Sequence, residues 1–152
     1  KGCIDGRWFD KTPQNVYGAL LLTASYPDAK FIHIYRNPLN VVASLMEGKV
    51  MPKHGLAGAV SYWNESMMIL QEFKKLYPAK LLEIKYEDLT SDPMPHLSGM
   101  LEFLSEDASL LEDLSHVTHP EKNKYKKKLS AEQIEVIVEL TEPWFSQYGY
   151  SV

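Results

Sequence analysis

Apolar and polar positions alternate along this chain in two rhythms, and the changes of rhythm mark out its elements. Over residues 14–26, Val16, Tyr17, Leu20, Leu21 and Ala24 recur at helical spacing, and Pro27-Asp28 closes the segment as a turn. Residues 30–35 read as a strand through the β-branched and aromatic run Phe31-Ile32-His33-Ile34-Tyr35. A second helix is predicted from Asn37 to about Glu47, with Asn37 as N-cap, Pro38 at the first helical position and Gly48 as the stop. Gly48, Pro52, Gly55 and Gly58 make residues 48–58 a loop, placed to act as a mobile flap over a ligand. Tyr62, Trp63, Met67, Ile69, Leu70 and Phe73 predict a long amphipathic helix over 59–77, ended by Pro78. Residues 81–86 form the second strand, whose apolar run suits burial on both faces. Asp92 and Pro93 then cap and start a helix that runs to Leu104. Residues 105–128 are irregular and polar and turn basic at their end. Ser130-Ala131-Glu132-Gln133 is a capping box, opening a last helix that buries Ile134, Ile137, Val138 and Leu140. The aromatic stretch 144–150 is predicted to dock on the body of the domain.

Helical and strand signals that alternate in this way predict one α/β domain over 1–152, with at least two parallel strands. At 152 residues the chain can bury a sizeable core, and 45% hydrophobic with 24% charged residues is ordinary for a globular protein. The net charge of −4 gives no general basic field for nucleic acid, so any anionic ligand has to be held by local cations. No apolar run reaches transmembrane length and no signal-peptide pattern is present. The lone Cys3 favours a reducing compartment, hence a cytoplasmic expectation with the Golgi lumen as the alternative. His33 reads as a packed core residue within its strand and not as a base, and His54 in the loop could meet an acceptor. His96, His116 and His119 show no metal spacing, so no metal site is expected. Asn64-Glu65-Ser66 matches a glycosylation sequon but falls in the long helical pattern.

The chemistry concentrates where the first strand meets the second helix. Arg36 stands at the carboxyl end of a strand and beside a fresh helix N-terminus, which predicts free N–H groups and a helix dipole aimed into the same space as the guanidinium. That combination suits phosphate, because the rigid fork of arginine donates two parallel hydrogen bonds. The alternative is that Arg36 pairs with a surface carboxylate. Ser44 follows on the second turn of the helix.

Tyr35-Arg36-Asn37-Pro38, followed by Val41-Val42-Ala43-Ser44, resembles the 3′-phosphate-binding motif of sulfotransferases that use 3′-phosphoadenosine-5′-phosphosulfate. The resemblance implies that Arg36 and Ser44 hold the 3′-phosphate of this co-substrate. Lys11-Thr12-Pro13 is similar to the family's Lys-Thr-Pro or Lys-Asp-Pro ahead of a helix, which assigns Lys11 to stabilising charge in the transition state; otherwise Lys11 is a surface residue beside Asp10, with Thr12 as N-cap. Tyr86-Glu87-Asp88-Leu89 with Asp92-Pro93 resembles the strand and turn where the family's Tyr lies near the adenine, so Tyr86 would close a strand at the ligand edge. Tyr86 could equally be a core aromatic, and Glu87 and Asp88 could serve only to satisfy backbone N–H groups. In the basic run 122–128, Lys124 and Lys126 are the candidates for the 3′-phosphate and Tyr125 could stack on a base; a solvated charge run is the plain alternative.

The family's phosphate loop, a backbone N–H nest that cradles the 5′-phosphosulfate, has no counterpart here. The chain also opens Lys1-Gly2-Cys3 without an initiator Met. The expectation is therefore the C-terminal part of a sulfotransferase, an incomplete P-loop-kinase-like parallel sheet flanked by helices and inactive alone. Its reaction would move a sulfonyl group to a hydroxyl or amine of a small-molecule, carbohydrate or peptide acceptor, with no metal. The competing expectations are a nucleotide or sugar kinase-like protein and a catalytically silent nucleotide-binding or scaffold domain. The general base, the acceptor and the oligomeric state stay open.

Overall fold

The computed structural model describes residues 2–4, 6–48, 55–107, 109, 111 and 118–152. It is a mostly helical α/β structure around a small parallel sheet. β1 (Gly2–Ile4) and β2 (Arg7–Phe9) form an antiparallel hairpin whose turn uses Gly6 at φ 82°. The helix predicted over 14–26 forms in two pieces, a 3-10 segment Pro13–Gly18 and then α1 (Ala19–Ser25). Thr12 does not cap it. Its hydroxyl donates instead to Asp10 Oδ1 at 3.2 Å, and Asn15 donates to Asp10 Oδ2 at 3.1 Å.

β3 (Phe31–Tyr35) and α2 (Pro38–Glu47) follow the sequence pattern, with Asn37 accepting a cap bond from the Leu39 N–H and Gly48 taking the left-handed C-cap at φ 68°. α3 (Leu56–Leu76) starts on Gly55, so Gly58 belongs to a helix and not to the predicted loop. Most of that loop, with His54, lies outside the described residues, as does His116. β4 (Leu81–Lys85) is one residue shorter than expected, and Tyr86 opens a short helix, α4 (Tyr86–Ser91). α5 (Pro93–Leu104) starts at its proline, yet Asp92 makes no side-chain cap bond. α6 (Ala131–Thr141) carries the full capping box of Ser130 and Gln133, and α7 (Trp144–Gln147) docks through buried Phe145. Leu140, expected inside, is half exposed.

β3 and β4 pair in parallel with Phe31 opposite Leu81 and Tyr35 opposite Lys85. The main core lies beside them: Leu39, Val42, Ala43 and Leu45 of α2 pack against Ala59 and Val60, Tyr125, Ile137 and Phe145. Full burial of one such side chain contributes about 1.5–3 kcal/mol, so α2 is the spine of the structure. A smaller cluster of Ala19, Leu70, Phe73 and Leu81 seals the start of the sheet.

One sheet position is polar. His33 faces Glu83 across the register, with Nδ1 3.3 Å from Oε1, and Glu83 also accepts from Lys74 and from the Tyr148 hydroxyl at 3.0 Å. The Tyr148 ring packs at a tilt of 56° against Tyr35, with centroids 4.5 Å apart. His33 is thus half-buried and not a core residue as expected, and its partner is a carboxylate. The hydrogen bond from His33 is the largest cause holding Glu83 down at about 2 from an ordinary 4.5; burial opposes it, and Lys74 and Tyr148 add to it. A depressed folded value means stabilisation that is complete above pH 4.5 and lost as pH falls toward 2. Glu83→Gln should therefore unfold more easily by about 1–3 kcal/mol near neutral pH. Urea titrations at several pH values should show the difference narrowing below 4.5; a difference independent of pH would show that the charge of Glu83 is not the stabilising feature.

Candidate functional site

The site is built where β3 hands over to α2. The carbonyl of Arg36 accepts from Trp63 Nε1 at 3.3 Å, which ties the turn to the long helix α3. The next residue is tied to the neighbouring strand's exit: the Asn37 N–H donates to Glu87 Oε1 at 2.9 Å. Parallel pairing at a constant separation explains this contact, since His33–Glu83 and Asn37–Glu87 are both 50 residues apart. Glu87 therefore satisfies a backbone N–H, as the sequence reading allowed. Its other oxygen lies 3.4 Å from the Tyr150 hydroxyl, and burial, reinforced by the Glu87 charge, pushes the ionisation of Tyr150 up.

The open amide nest expected at the α2 N-terminus is not there. Asn37 Oδ1 takes the Leu39 N–H at 2.9 Å, the Asn37 carbonyl takes the N–H groups of Asn40 and Val41 at 3.0 and 3.1 Å, and Pro38 has none to offer. Local satisfaction by the cap wins over ligand binding, because each orphan amide of a first turn takes the nearest acceptor.

The Arg36 side chain is held from two sides. Its guanidinium carbon sits 4.6 Å from the centroid of Tyr86, a cation–π contact that follows from the two residues leaving adjacent strands together. Tyr86 is thus neither the end of a strand nor a core aromatic; its ring supports the cation. On the other side Nε donates to Glu121 Oε2 at 2.7 Å, and a terminal nitrogen of the same guanidinium contacts the same oxygen. The alternative of a carboxylate partner is realised, though this carboxylate is not on the surface: the Glu121 side chain is 7% exposed. Glu121 Oε1 accepts the N–H groups of Lys122 and Asn123 at 2.8 and 3.0 Å.

Residues 121–128 form a strap along α2. Asn40 donates to Asn123 Oδ1 at 3.2 Å and accepts from the Tyr125 N–H at 3.4 Å, and Lys128 pairs with Glu47. Asn40, Ser44 and Glu47 recur at helical spacing on one stripe, so half-buried Ser44 lies on the face that the strap covers. Lys124 and Lys126 belong to a 3-10 turn, Lys124–Lys127, and are exposed. Tyr125 between them is 2% exposed in the core, so it cannot stack on a base. Lys126 also borders a polar cavity of about 280 Å³, with Asn37, Lys85, Glu87, Asn123 and Tyr150 in its lining.

Lys11 stands apart. It is exposed, just before the Pro13–Gly18 segment, and its ammonium makes no hydrogen bond or ion pair among the described residues. The structure thus brings together Arg36, Tyr86 and the strap that carries Lys124 and Lys126, with Ser44 on the stripe beneath; no described contact joins Lys11 to them. Glu121 and Asn123 escaped the sequence reading because an isolated acid in a basic tract carries no spacing signal. Among the described residues, no group of three or more His, Cys, Asp and Glu could hold a metal ion, and no helix is long and apolar enough to cross a membrane.

Glu87→Ala should leave the Asn37 N–H without its acceptor and destabilise the fold by about 1–3 kcal/mol. Chemical denaturation checks this. Stability equal to that of the wild-type chain would mean that the strand-exit clamp is not a fixed feature.

Comparison with known proteins places the chain in a family. A family model described as the sulfotransferase family matches residues 3–109, more than half of the chain. An uncharacterized protein of Aquifex aeolicus (strain VF5) is 33% identical over 104 residues, covering 64% of this chain and 14% of that protein. The chain thus spans a small fraction of that relative's length. No solved structure gives a significant match. The family match takes in Lys11, Arg36, Ser44 and Tyr86 and stops short of the strap, and on its extent the chain belongs to the sulfotransferase family.

Proposed function

We propose that this chain supplies the 3′-phosphate clamp of an enzyme that transfers a sulfonyl group from 3′-phosphoadenosine-5′-phosphosulfate to a hydroxyl or amine. In this reading the described sheet is part of a larger P-loop-kinase-like sheet, and the acceptor is a small molecule, carbohydrate or peptide. The observation that carries the proposal is that Arg36 already grips an oxyanion. It holds the Glu121 carboxylate through a charge-assisted Nε–H bond of 2.7 Å, backed by the Tyr86 ring at 4.6 Å. A phosphate oxygen makes the same demand on a guanidinium.

The donor, when bound, brings the sulfonyl group and a phosphate leaving group. The residues of this chain bind and orient it. Arg36 fixes the 3′-phosphate, Ser44 adds a hydroxyl donor from the α2 stripe, and Tyr86 holds the guanidinium plane in place and presents its ring toward the nucleoside. Lys124 and Lys126 raise the local positive potential in a chain whose net charge is −4. Lys11 is assigned to the charge that develops on the leaving phosphate, and no ion pair with a described residue has to break first. Positioning and charge stabilisation then do most of the catalysis.

Arg36→Ala should weaken binding of adenosine 3′,5′-bisphosphate at least ~100-fold, because a charge-assisted pair of bonds is lost. Ser44→Ala removes a single hydrogen bond and should weaken it about 10-fold. Isothermal titration checks both. Full affinity in Arg36→Ala would sink the assignment.

A further inference from the structure

We propose that Glu121 is a built-in competitor for the anion that Arg36 receives, so that the strap releases Arg36 only to a phosphomonoester dianion. The inference rests on reading Arg36 as the 3′-phosphate clamp, and it adds what selects the ligand there.

The Glu121 carboxylate is saturated with donors. One oxygen faces Arg36 Nε at 2.7 Å and a terminal guanidinium nitrogen; the other takes the consecutive N–H groups of Lys122 and Asn123 at 2.8 and 3.0 Å. A guanidinium edge plus two successive amides is the donor set that a phosphate would recruit. Here it is filled from within. With side chains 7% and 29% exposed, Glu121 and Arg36 are not a loose solvated pair, and each would lose heavily if left alone.

The rest of the strap points to an anion from outside. Around Glu121 the chain carries Lys122, Lys124, Lys126 and Lys127, none paired with a carboxylate among the described residues, while Lys128 alone meets Glu47. A segment that only needed to cover Arg36 would not require this excess of positive charge. The strap is also anchored downstream of Glu121, by Asn123 on Asn40 and by the buried Tyr125. The Glu121 side chain can therefore turn out without unseating the anchor.

Such a competitor discriminates. Glu121 is tethered, so its effective concentration at Arg36 is high, and a free monoanion loses to it. A 3′-phosphate brings a second negative charge and a third oxygen, and draws on the neighbouring lysines. A nucleotide whose only phosphate is at the 5′ position places no dianion against Arg36, and so gains nothing by displacing Glu121. The apparent affinity for the 3′-phosphorylated ligand is then its intrinsic affinity reduced by the fraction of molecules in which Arg36 is open.

Adenosine 3′,5′-bisphosphate and 5′-AMP can be titrated into the full wild-type chain, Glu121→Gln and Arg36→Ala. Glu121→Gln keeps an oxygen for the two strap amides and loses the charge. It should bind the bisphosphate about 10-fold tighter or more, for an open fraction of a tenth or less, with 5′-AMP unchanged. Bisphosphate affinity that is unchanged or weaker in Glu121→Gln overturns the competitor, as does an equal gain for 5′-AMP. Loss of bisphosphate binding in Arg36→Ala with no gain in Glu121→Gln would leave the clamp standing and remove only the competitor. Retained binding in Arg36→Ala would remove the clamp itself. Should Glu121→Gln fail to fold, the Arg36 Nε–H resonance of the wild-type chain, followed through the bisphosphate titration, decides: a shift at saturation supports displacement, and an unmoved signal overturns it.

Discussion

Everything at this site depends on the parallel register of two five-residue strands. With Tyr35 opposite Lys85, the next two residues after each strand leave the sheet as neighbours. Arg36 then meets the Tyr86 ring and the Asn37 amide meets the Glu87 carboxylate. A slip of one residue would turn the His33–Glu83 pair and its partners to the opposite face and would separate both exit contacts, because side chains alternate with period two. The same register sets the polar pin at Glu83, where Lys74 of α3 and Tyr148 beyond α7 converge. Strand pairing, helix docking and placement of the cation are therefore one constraint seen at three heights of the sheet.

That constraint also decides which groups are left for a ligand. The cap on Asn37 uses the amides of the first turn of α2, and Glu87 uses the amide of Asn37 itself. The dipole of α2 persists, but its N–H groups are spent, so the donors left for the proposed anion are the guanidinium and amides on the strap. Arginine suits this division better than lysine. It can lie flat on Tyr86 and still present an edge to an oxyanion, which a single ammonium cannot do.

Much of this was legible in the residues. Asn37-Pro38 and Ser130–Gln133 are local signals whose hydrogen bonds close within one turn, and both form as read. The apolar runs placed β3 and most of β4, and the Tyr-Arg-Asn-Pro segment by itself marked the family. What failed depended on distant partners or on competition between near neighbours. Pro13 with Gly18 split the first helix, Gly55 proved a cap and not a loop residue, and Tyr125 went inside although lysines flank it. Glu121 could not be found from spacing, because its meaning comes from Arg36, 85 residues away.

Two carboxylates flank the Arg36–Asn37 dipeptide, and the nature of their partners separates their roles. Glu87 holds a main-chain amide and a tyrosine hydroxyl, groups of the scaffold itself. No incoming oxyanion profits from replacing it, since doing so would cost the turn its geometry. Glu121 holds a guanidinium and amides of a surface strap, all of them donors that a phosphate can use equally well. A carboxylate whose partners stay satisfied after exchange can be displaced by a ligand; one whose partners would be stranded cannot. By that test Glu87 belongs to the fold, and Glu121 is the carboxylate that the proposed binding would exchange.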